Sequence, residues 1–151
     1  MLACLDVADY FLSIVNDGGH DYMTSLKLQR LVYYAQGLHL ARYNEPLFTE
    51  EIQAWTYGPV ISELYFKYRD LGDTPIATPP DIDSNKYDNE MRAFLDEVYQ
   101  IFRQYSTRKP NEMMRDEPPV EETIRQYGVN TTISHKLLKD YFSQFIKKED
   151  G

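Results

Sequence analysis

The sequence predicts a mostly α protein, a single compact multi-helix domain over residues 1–151 with a possible small two-stranded β element. In most segments the apolar residues recur at three- and four-residue steps, which is the period of an amphipathic helix. Alternation of apolar and polar residues, the sign of a strand, is confined to a short stretch at residues 52–57. A chain of 151 residues, 42% of them hydrophobic, can build one core without disulfides or metals.

The first two helices follow from this period and from the signals at their ends. The apolar residues of the first helix are Leu5, Ala8, Phe11, Leu12 and Val15. Gly18 and Gly19 are predicted to end it, because glycine suits the backbone beyond a helix C-terminus. Thr24 is the predicted N-cap of a long second helix, which Asn44 and Pro46 end.

A short strand and a third helix are predicted next. The strand covers residues 52–57, and Gly58 and Pro59 are predicted to end it. Pro59 is then placed in the first turn of the third helix, where the missing N–H of proline does no harm. Gly72 is predicted to stop this helix.

The second half of the chain predicts a loop and further helices. Residues 73–87 are rich in proline and aspartate, which is typical of an exposed loop. A strong helical pattern covers residues 91–105. Residues 109–126 predict a helical turn, a break at two adjacent prolines and a short helix. Ile133 is a candidate for one more strand, followed by a last helix capped by Ser134.

Charge and composition narrow the class of function. The net charge of −8 repels phosphate backbones, so we do not expect direct nucleic-acid binding. The same charge would steer a basic protein partner toward the chain. No apolar run approaches the roughly 18 residues that span a bilayer, and the beginning of the chain does not resemble a signal peptide. The single cysteine, Cys4, forms no internal disulfide and favours the reducing cytoplasm.

Residues that commonly carry catalysis are scattered along the chain. His20, His39, His135 and Cys4 fall in different predicted elements, so we predict no metal site and no cofactor. His39 is interpreted as a core histidine with one hydrogen-bonded ring nitrogen. We therefore predict a protein that binds another protein, and not an enzyme.

Three blocks of sequence resemble the Panacea domain family, which includes SocA-like antitoxins and phage-associated GepA-like proteins. The blocks are LKLQRLVYYAQGLHLARY at Leu26–Tyr43, PLF at Pro46–Phe48 and IQAWTYGPV at Ile52–Val60, the last followed by ELY at Glu63–Tyr65. Their order and spacing match the family pattern of a K-L-x-K-L-x-Y-Y-A-Q-x-x-H-L helix, a P-L-F turn and an A-W-x-Y-G-P-V segment. The resemblance spans nearly the whole chain, since Leu5–Phe11 resembles the first helix of the family and Ile133–Phe142 resembles its closing I-S-x-x-x-I-x-x-Y-F segment.

One segment departs from the family pattern. Where many members have T-H-x-E-x-P-W, this chain has MRDEPPV at Met114–Val120. Arg115 and Val120 occupy the histidine and tryptophan positions, whereas the acid, Glu117, is kept. Either the block is not needed for binding, or this protein recognises a different partner there.

The resemblance implies an antitoxin that neutralises a cognate protein toxin by direct contact. Two alternatives remain: an adaptor that delivers the toxin to an AAA+ protease, and a phage-borne regulator of a host protein. The oligomeric state stays open.

Five residues are predicted to contact the partner and two to shape the backbone. The predicted contact residues are Tyr34, Trp55, Tyr57, Arg115 and Glu117. Gly58 and Pro59 are predicted to be architectural. An equally supported alternative is that Trp55 and Tyr57 only pack the strand against the second helix.

Overall fold

The computed structural model describes residues 1–17, 23–79, 81–108 and 118–150, without the side chains of 16–17, 105–108 and 147–150. In these ranges the chain forms six α-helices and a three-stranded sheet. The helices are α1 (Cys4–Asp17), α2 (Ser25–Tyr43), α3 (Ser62–Tyr68), α4 (Asn89–Arg108), α5 (Pro118–Tyr127) and α6 (His135–Asp150). The strands are β1 (Gln53–Trp55), β2 (Gly58–Val60) and β3 (Thr131–Thr132). The prediction of a mostly α fold is confirmed.

Helix α2 is the centre of the fold. Twelve of its residues are buried, eleven of them consecutive, so every face of the helix is covered along that stretch. Helices α1, α3, α4 and α6 and strand β2 all pack against it. Its predicted ends are confirmed: the Thr24 hydroxyl accepts the Lys27 N–H, and Asn44 adopts the left-handed conformation with φ 58°.

The sheet differs from the predicted one in size and position. It has three antiparallel strands in the order β2-β1-β3, and Trp55 pairs with Gly58 across a two-residue loop. The prediction that Gly58 and Pro59 end a strand and start a helix is therefore wrong. Gly58 closes a hairpin instead, since its φ of 134° is open to glycine but rarely to other residues. Helix α3 begins later, at Ser62.

Three more sequence predictions are corrected or refined. The adjacent prolines at 118 and 119 stand in the first turn of helix α5, which agrees with the preference of proline for that turn and with the predicted short helix after them. The added strand, β3, lies just before Ile133, whose N–H donates to the Ile52 carbonyl at 2.8 Å. The loop at 73–87 is mostly exposed where it is described, but Ile76 and Tyr87 are buried and anchor it. The predicted helix end at Gly18-Gly19 and the helical turn at 109–117 lie outside the described residues.

Candidate protein-binding groove

The β1-β2 hairpin presents its tip to solvent. Thr56 and Tyr57 form the two-residue loop between the strands, and Tyr57 is 74% exposed. Neither residue has a positive φ, so Gly58 supplies the backbone reversal that the loop requires. The tip therefore holds a large aromatic side chain in water, at the start of the edge strand.

Two buried glutamines on α2 fasten the segment that carries this hairpin. Gln36 Oε1 accepts the N–H groups of Leu47 (2.7 Å) and Phe48 (3.3 Å), and its Nε2 donates to the Phe48 carbonyl at 2.8 Å. Gln29 Oε1 accepts the Ile61 N–H at 2.8 Å, and its Nε2 donates to the Ile61 carbonyl at 3.1 Å.

The two glutamines act at opposite ends of one segment. They are seven residues apart, so they lie on the same face of the helix two turns from each other. Each side-chain amide bonds to backbone N–H and C=O groups in the way that a neighbouring strand would. Without it those groups would be buried with no hydrogen bond. Both ends of residues 47–61 are thereby held on α2.

A groove of about 430 Å³ opens between the first turn of α2, the hairpin and the end of α3. Its volume is in the range of ligand pockets. Trp55 is half-buried in it, with its ring 5.2 Å from the ring of Tyr65. Leu26, 55% exposed, and Tyr57 complete its large apolar lining. We call this site the hairpin groove, and its lining residues are Ser25, Leu26, Gln29, Trp55, Tyr57, Gly58, Pro59, Val60, Tyr65, Arg69, Gly72 and Asp73.

Apolar surface continues beyond the groove along α3. Phe66 is 61% exposed, and its ring lies 5.5 Å from that of Tyr65. The Arg69 guanidinium sits 5.2 Å from the centre of the Phe66 ring, a cation–π distance. Exposed large apolar side chains that gather at one place are typical of an interaction site, whereas scattered ones are ordinary.

The groove is electrically balanced in an otherwise acidic chain. Among its lining residues Arg69 and Asp73 are the charged ones, with opposite signs. The net charge of −8 must therefore come from surfaces other than this lining. The lining of the groove is therefore largely uncharged.

The structure places the predicted contact residues very differently. Trp55 and Tyr57 both line the groove, together with the predicted architectural pair Gly58 and Pro59, which are buried in β2. Tyr34 does not lie there. Arg115 and Glu117 fall outside the described residues.

The assignment of Tyr34 to a contact surface is corrected by its burial. Its side chain is only 2% exposed, and its ring packs edge-on against those of Phe102 and Phe142. Tyr34 lies in the stretch of α2, residues 28–38, in which every residue is buried. In this fold its ring cannot touch a partner.

Among the residues that line or support the groove, sequence reasoning missed Leu26, Tyr65, Gln29 and Gln36. Leu26 lies off the core period of α2, which is the signal that an apolar residue there is exposed. Tyr65 falls on the apolar period of α3, which is typical of a core residue, but it is only half-buried. Gln29 and Gln36 carry a signal too, because two glutamines two turns apart on an apolar helix imply buried amides that need partners.

Cys4 and His39, two residues of types that often carry catalysis, do not line the groove. Cys4 is buried; burial, and then the negative charge of Glu50, raise the pKa of its thiol far above the ordinary range. A thiol held protonated in this way is a poor nucleophile. The Nδ1 atom of His39 lies 2.6 Å from the Glu45 carbonyl oxygen, which agrees with the predicted hydrogen bond, but the residue is half-buried and does not belong to the core. Among the described residues, no cluster of three histidine, cysteine or acidic side chains is arranged to hold a metal.

Comparison with known proteins defines the class of the chain. The model of the antitoxin SocA-like, Panacea domain family matches residues 28–119, which is more than half of the sequence. The matched range includes the hairpin, α3 and α2 from Leu28 onward, so most of the groove lies within it, while Ser25 and Leu26 lie just before it. The protein belongs to the family of SocA-like antitoxins with a Panacea domain, which confirms the resemblance seen in the sequence and supports an antitoxin role.

Two other comparisons add limits. Neither the curated proteins nor the solved structures give a match to this chain. Over the residues that the structure describes, none of the helices has the length and apolar character needed to span a membrane.

Proposed function

We propose that this protein is the antitoxin of a toxin–antitoxin pair and that it neutralises a cognate protein toxin by direct binding through the hairpin groove. The observation that carries the proposal is the gathering of exposed apolar side chains at the groove, all but Leu26 within the range matched by the family model. Neutralisation then acts by occlusion: the toxin surface needed for its activity is covered while the antitoxin is bound.

The chemistry of the groove suits tight protein binding. Tyrosine and tryptophan supply large contact areas with few rotatable bonds, and they are enriched among residues that dominate binding energy. Trp55 already has its indole N–H satisfied, because that group donates to Gln53 Oε1 at 2.9 Å. Covering the ring therefore leaves no polar atom of the indole without a partner.

We place this activity in the cytoplasm and in one domain. A buried cysteine thiol agrees with a reducing compartment. The hydrophobic core is continuous from Cys4 on α1 to Phe142 on α6, which supports a single domain over the chain.

The direct test is co-expression of this protein with the product of the adjacent open reading frame. The native chain should relieve growth arrest caused by that product. Replacing Tyr57 by alanine should weaken binding at least about tenfold, or ~1.4 kcal/mol, as truncation of a central aromatic contact does. The measurement is the dissociation constant of the purified pair, alongside the growth assay.

Tyr127 provides a matched control. It is a tyrosine of similar exposure, 68%, and it does not line the groove. A Tyr127→Ala variant should bind as tightly as the native chain. Equal losses in the two variants, or no loss in Tyr57→Ala, would remove the groove from the interface. An adjacent product that is harmless without this protein would remove the antitoxin function itself.

The same assay separates neutralisation from delivery to a protease. In a strain without the AAA+ protease, direct neutralisation predicts unchanged relief of growth arrest. Relief that disappears in that strain would instead establish the adaptor role.

A further inference from the structure

We infer that the hairpin groove receives the apolar face of a helix of the toxin, and not an added β-strand or an extended loop. The inference rests on the proposed function and specifies which kind of structure the partner presents. Three properties of the groove support it: the edge of its sheet, the state of its polar groups and its charge.

The edge of the sheet is closed to another strand. Strand β2 is the outer strand of the sheet beside the groove, and its middle residue is Pro59. The Asn130 N–H donates to the Ala54 carbonyl, so the backbone polar groups of Ala54 point toward β3 and not toward β2. Pro59, which pairs with Ala54 on β2, therefore directs its own backbone away from β1, toward the open edge of the sheet. Proline has no N–H to donate there, and Pro59 is also buried. Strand addition depends on such main-chain hydrogen bonds.

The polar groups at the base of the groove are already paired. The side-chain oxygen and nitrogen of Gln29 both bond to Ile61, and the indole N–H of Trp55 bonds to Gln53. An extended segment entering here would bury backbone N–H and C=O groups against apolar side chains. Each such group left without a partner is unfavourable. A helix satisfies its backbone hydrogen bonds internally, so it can enter an apolar groove without help from the groove.

Charge complementarity indicates an uncharged contact face on that helix. Arg69 and Asp73 balance each other in the groove lining, and the remaining lining residues are uncharged. A helix with apolar side chains at positions i, i+3 or i+4 and i+7 presents such a face. Leu26 on α2 and Tyr57 on the hairpin would contact those anchors, while the Trp55 and Tyr65 rings lie beneath them.

Two displayed peptide libraries test this inference on the purified chain. Both contain peptides of about 15 residues, a length at which short helices begin to persist. One library has an alanine-, glutamate- and lysine-rich helical background with randomised positions at i, i+3, i+4 and i+7. The other is an extended background in which alternate positions are randomised. Selection against the native chain should enrich the helical library for leucine, phenylalanine and tryptophan.

Surface variants then locate the binding. Leu26→Asp and Tyr57→Asp change exposed side chains, so both variants should keep the native circular dichroism spectrum. Each should lower the affinity for the selected helical peptides at least about tenfold, because it puts a charge in an apolar contact. Tyr127→Asp should leave their affinity unchanged. Enrichment of the extended library, enrichment of neither library, or helical peptides unaffected by both groove variants would overturn the inference. The growth assay distinguishes a failure of this inference from a failure of the proposed function. If the native chain still relieves growth arrest, only the inference is wrong. If it does not, the proposed function is wrong whatever the peptides do.

Discussion

Two groups of aromatic side chains in this protein differ in whether a neighbouring helix covers them. On one side Tyr33 and Tyr34 pack against α6, where the ring of Phe142 lies 5.3 Å and 5.2 Å from theirs. On the other side Trp55 and Tyr65 pack against each other in the hairpin groove and stay partly open to solvent. Aromatic content alone therefore does not distinguish core from contact surface in this protein.

The covered region depends on a close approach of two helices. At Gly37 of α2 the Phe142 ring of α6 occupies the space that a Cβ atom would need. Glycine at this point lets α6 lie against α2 and seal the tyrosines. In the described part of the chain no element lies over the groove in the same way. What separates the two regions is the presence of a neighbouring helix.

The largest effect is expected from opening the covered region. Phe142→Ala removes a fully buried ring and should lower the free energy of unfolding by about 3–5 kcal/mol. Tyr57→Ala in the open region should change it by no more than about 0.5 kcal/mol. Urea denaturation followed by circular dichroism measures both. Similar losses of stability in the two variants would mean that the groove is part of the core, and would contradict the distinction between a covered and an open region.

A smaller effect is expected from the glutamines that hold the two ends of residues 47–61. Gln29→Leu leaves the N–H and C=O of Ile61 without their partner, and Gln36→Leu does the same at Leu47 and Phe48. Each should lower the free energy of unfolding by about 1–3 kcal/mol, the effect of an unsatisfied buried polar group.

The two glutamine variants should differ in binding. Gln29 acts directly after the hairpin, whereas Gln36 acts before it, so Gln29→Leu should weaken toxin binding more at a temperature where both are folded. Calorimetric titration with the purified toxin measures this difference. Equal affinities would show that the hairpin keeps its position without the Gln29 amide.

The smallest effect concerns pH and a third face of α2. His39 is half-buried against Phe94 and Tyr43, in a cavity also lined by Glu45, Asp88 and Glu90. Burial lowers the pKa of His39, against the opposing effect of the Glu45 carbonyl. The unfolded chain, with a histidine pKa of about 6.5, therefore takes up a proton first as the pH falls.

This order of protonation fixes the sign of the pH effect. The contribution of His39 to stability is present above about pH 6.5 and is lost below it. The melting temperature should fall between about pH 7 and pH 5, and by less in a His39→Gln variant. Parallel curves for the two proteins would exclude His39 as the cause. Toxin affinity at the groove should not follow this titration.

Much of the fold was predictable because local signals agree with the tertiary structure. Thr24 and Asn44 mark the ends of α2, and the apolar period of α1 matches its buried face. The hairpin was not predictable in the same way. Gly58-Pro59 is typical of both a strand end and a helix start, and the choice depends on the Gln29 amide, a contact 32 residues away along the chain.

The site was half predictable for a related reason. Tyr34 and Tyr57 are both tyrosines in shared blocks of the family pattern, yet one is buried and the other is exposed. The residues themselves carry no mark of this difference. It arises from α6, which comes some hundred residues after Tyr34 and covers it.

The attachment of Ile61 to Gln29 has a consequence for how this protein can diversify. The amide bonds to main-chain atoms, and the backbone reversal is made by Gly58, so neither contact depends on which side chains stand at Thr56 and Tyr57. Substitutions at the two tip residues can then alter the exposed surface of the hairpin while the domain stays folded. A lineage of such proteins could change partners through a few codons at one exposed turn, and a protein engineer could randomise the same positions to retarget it.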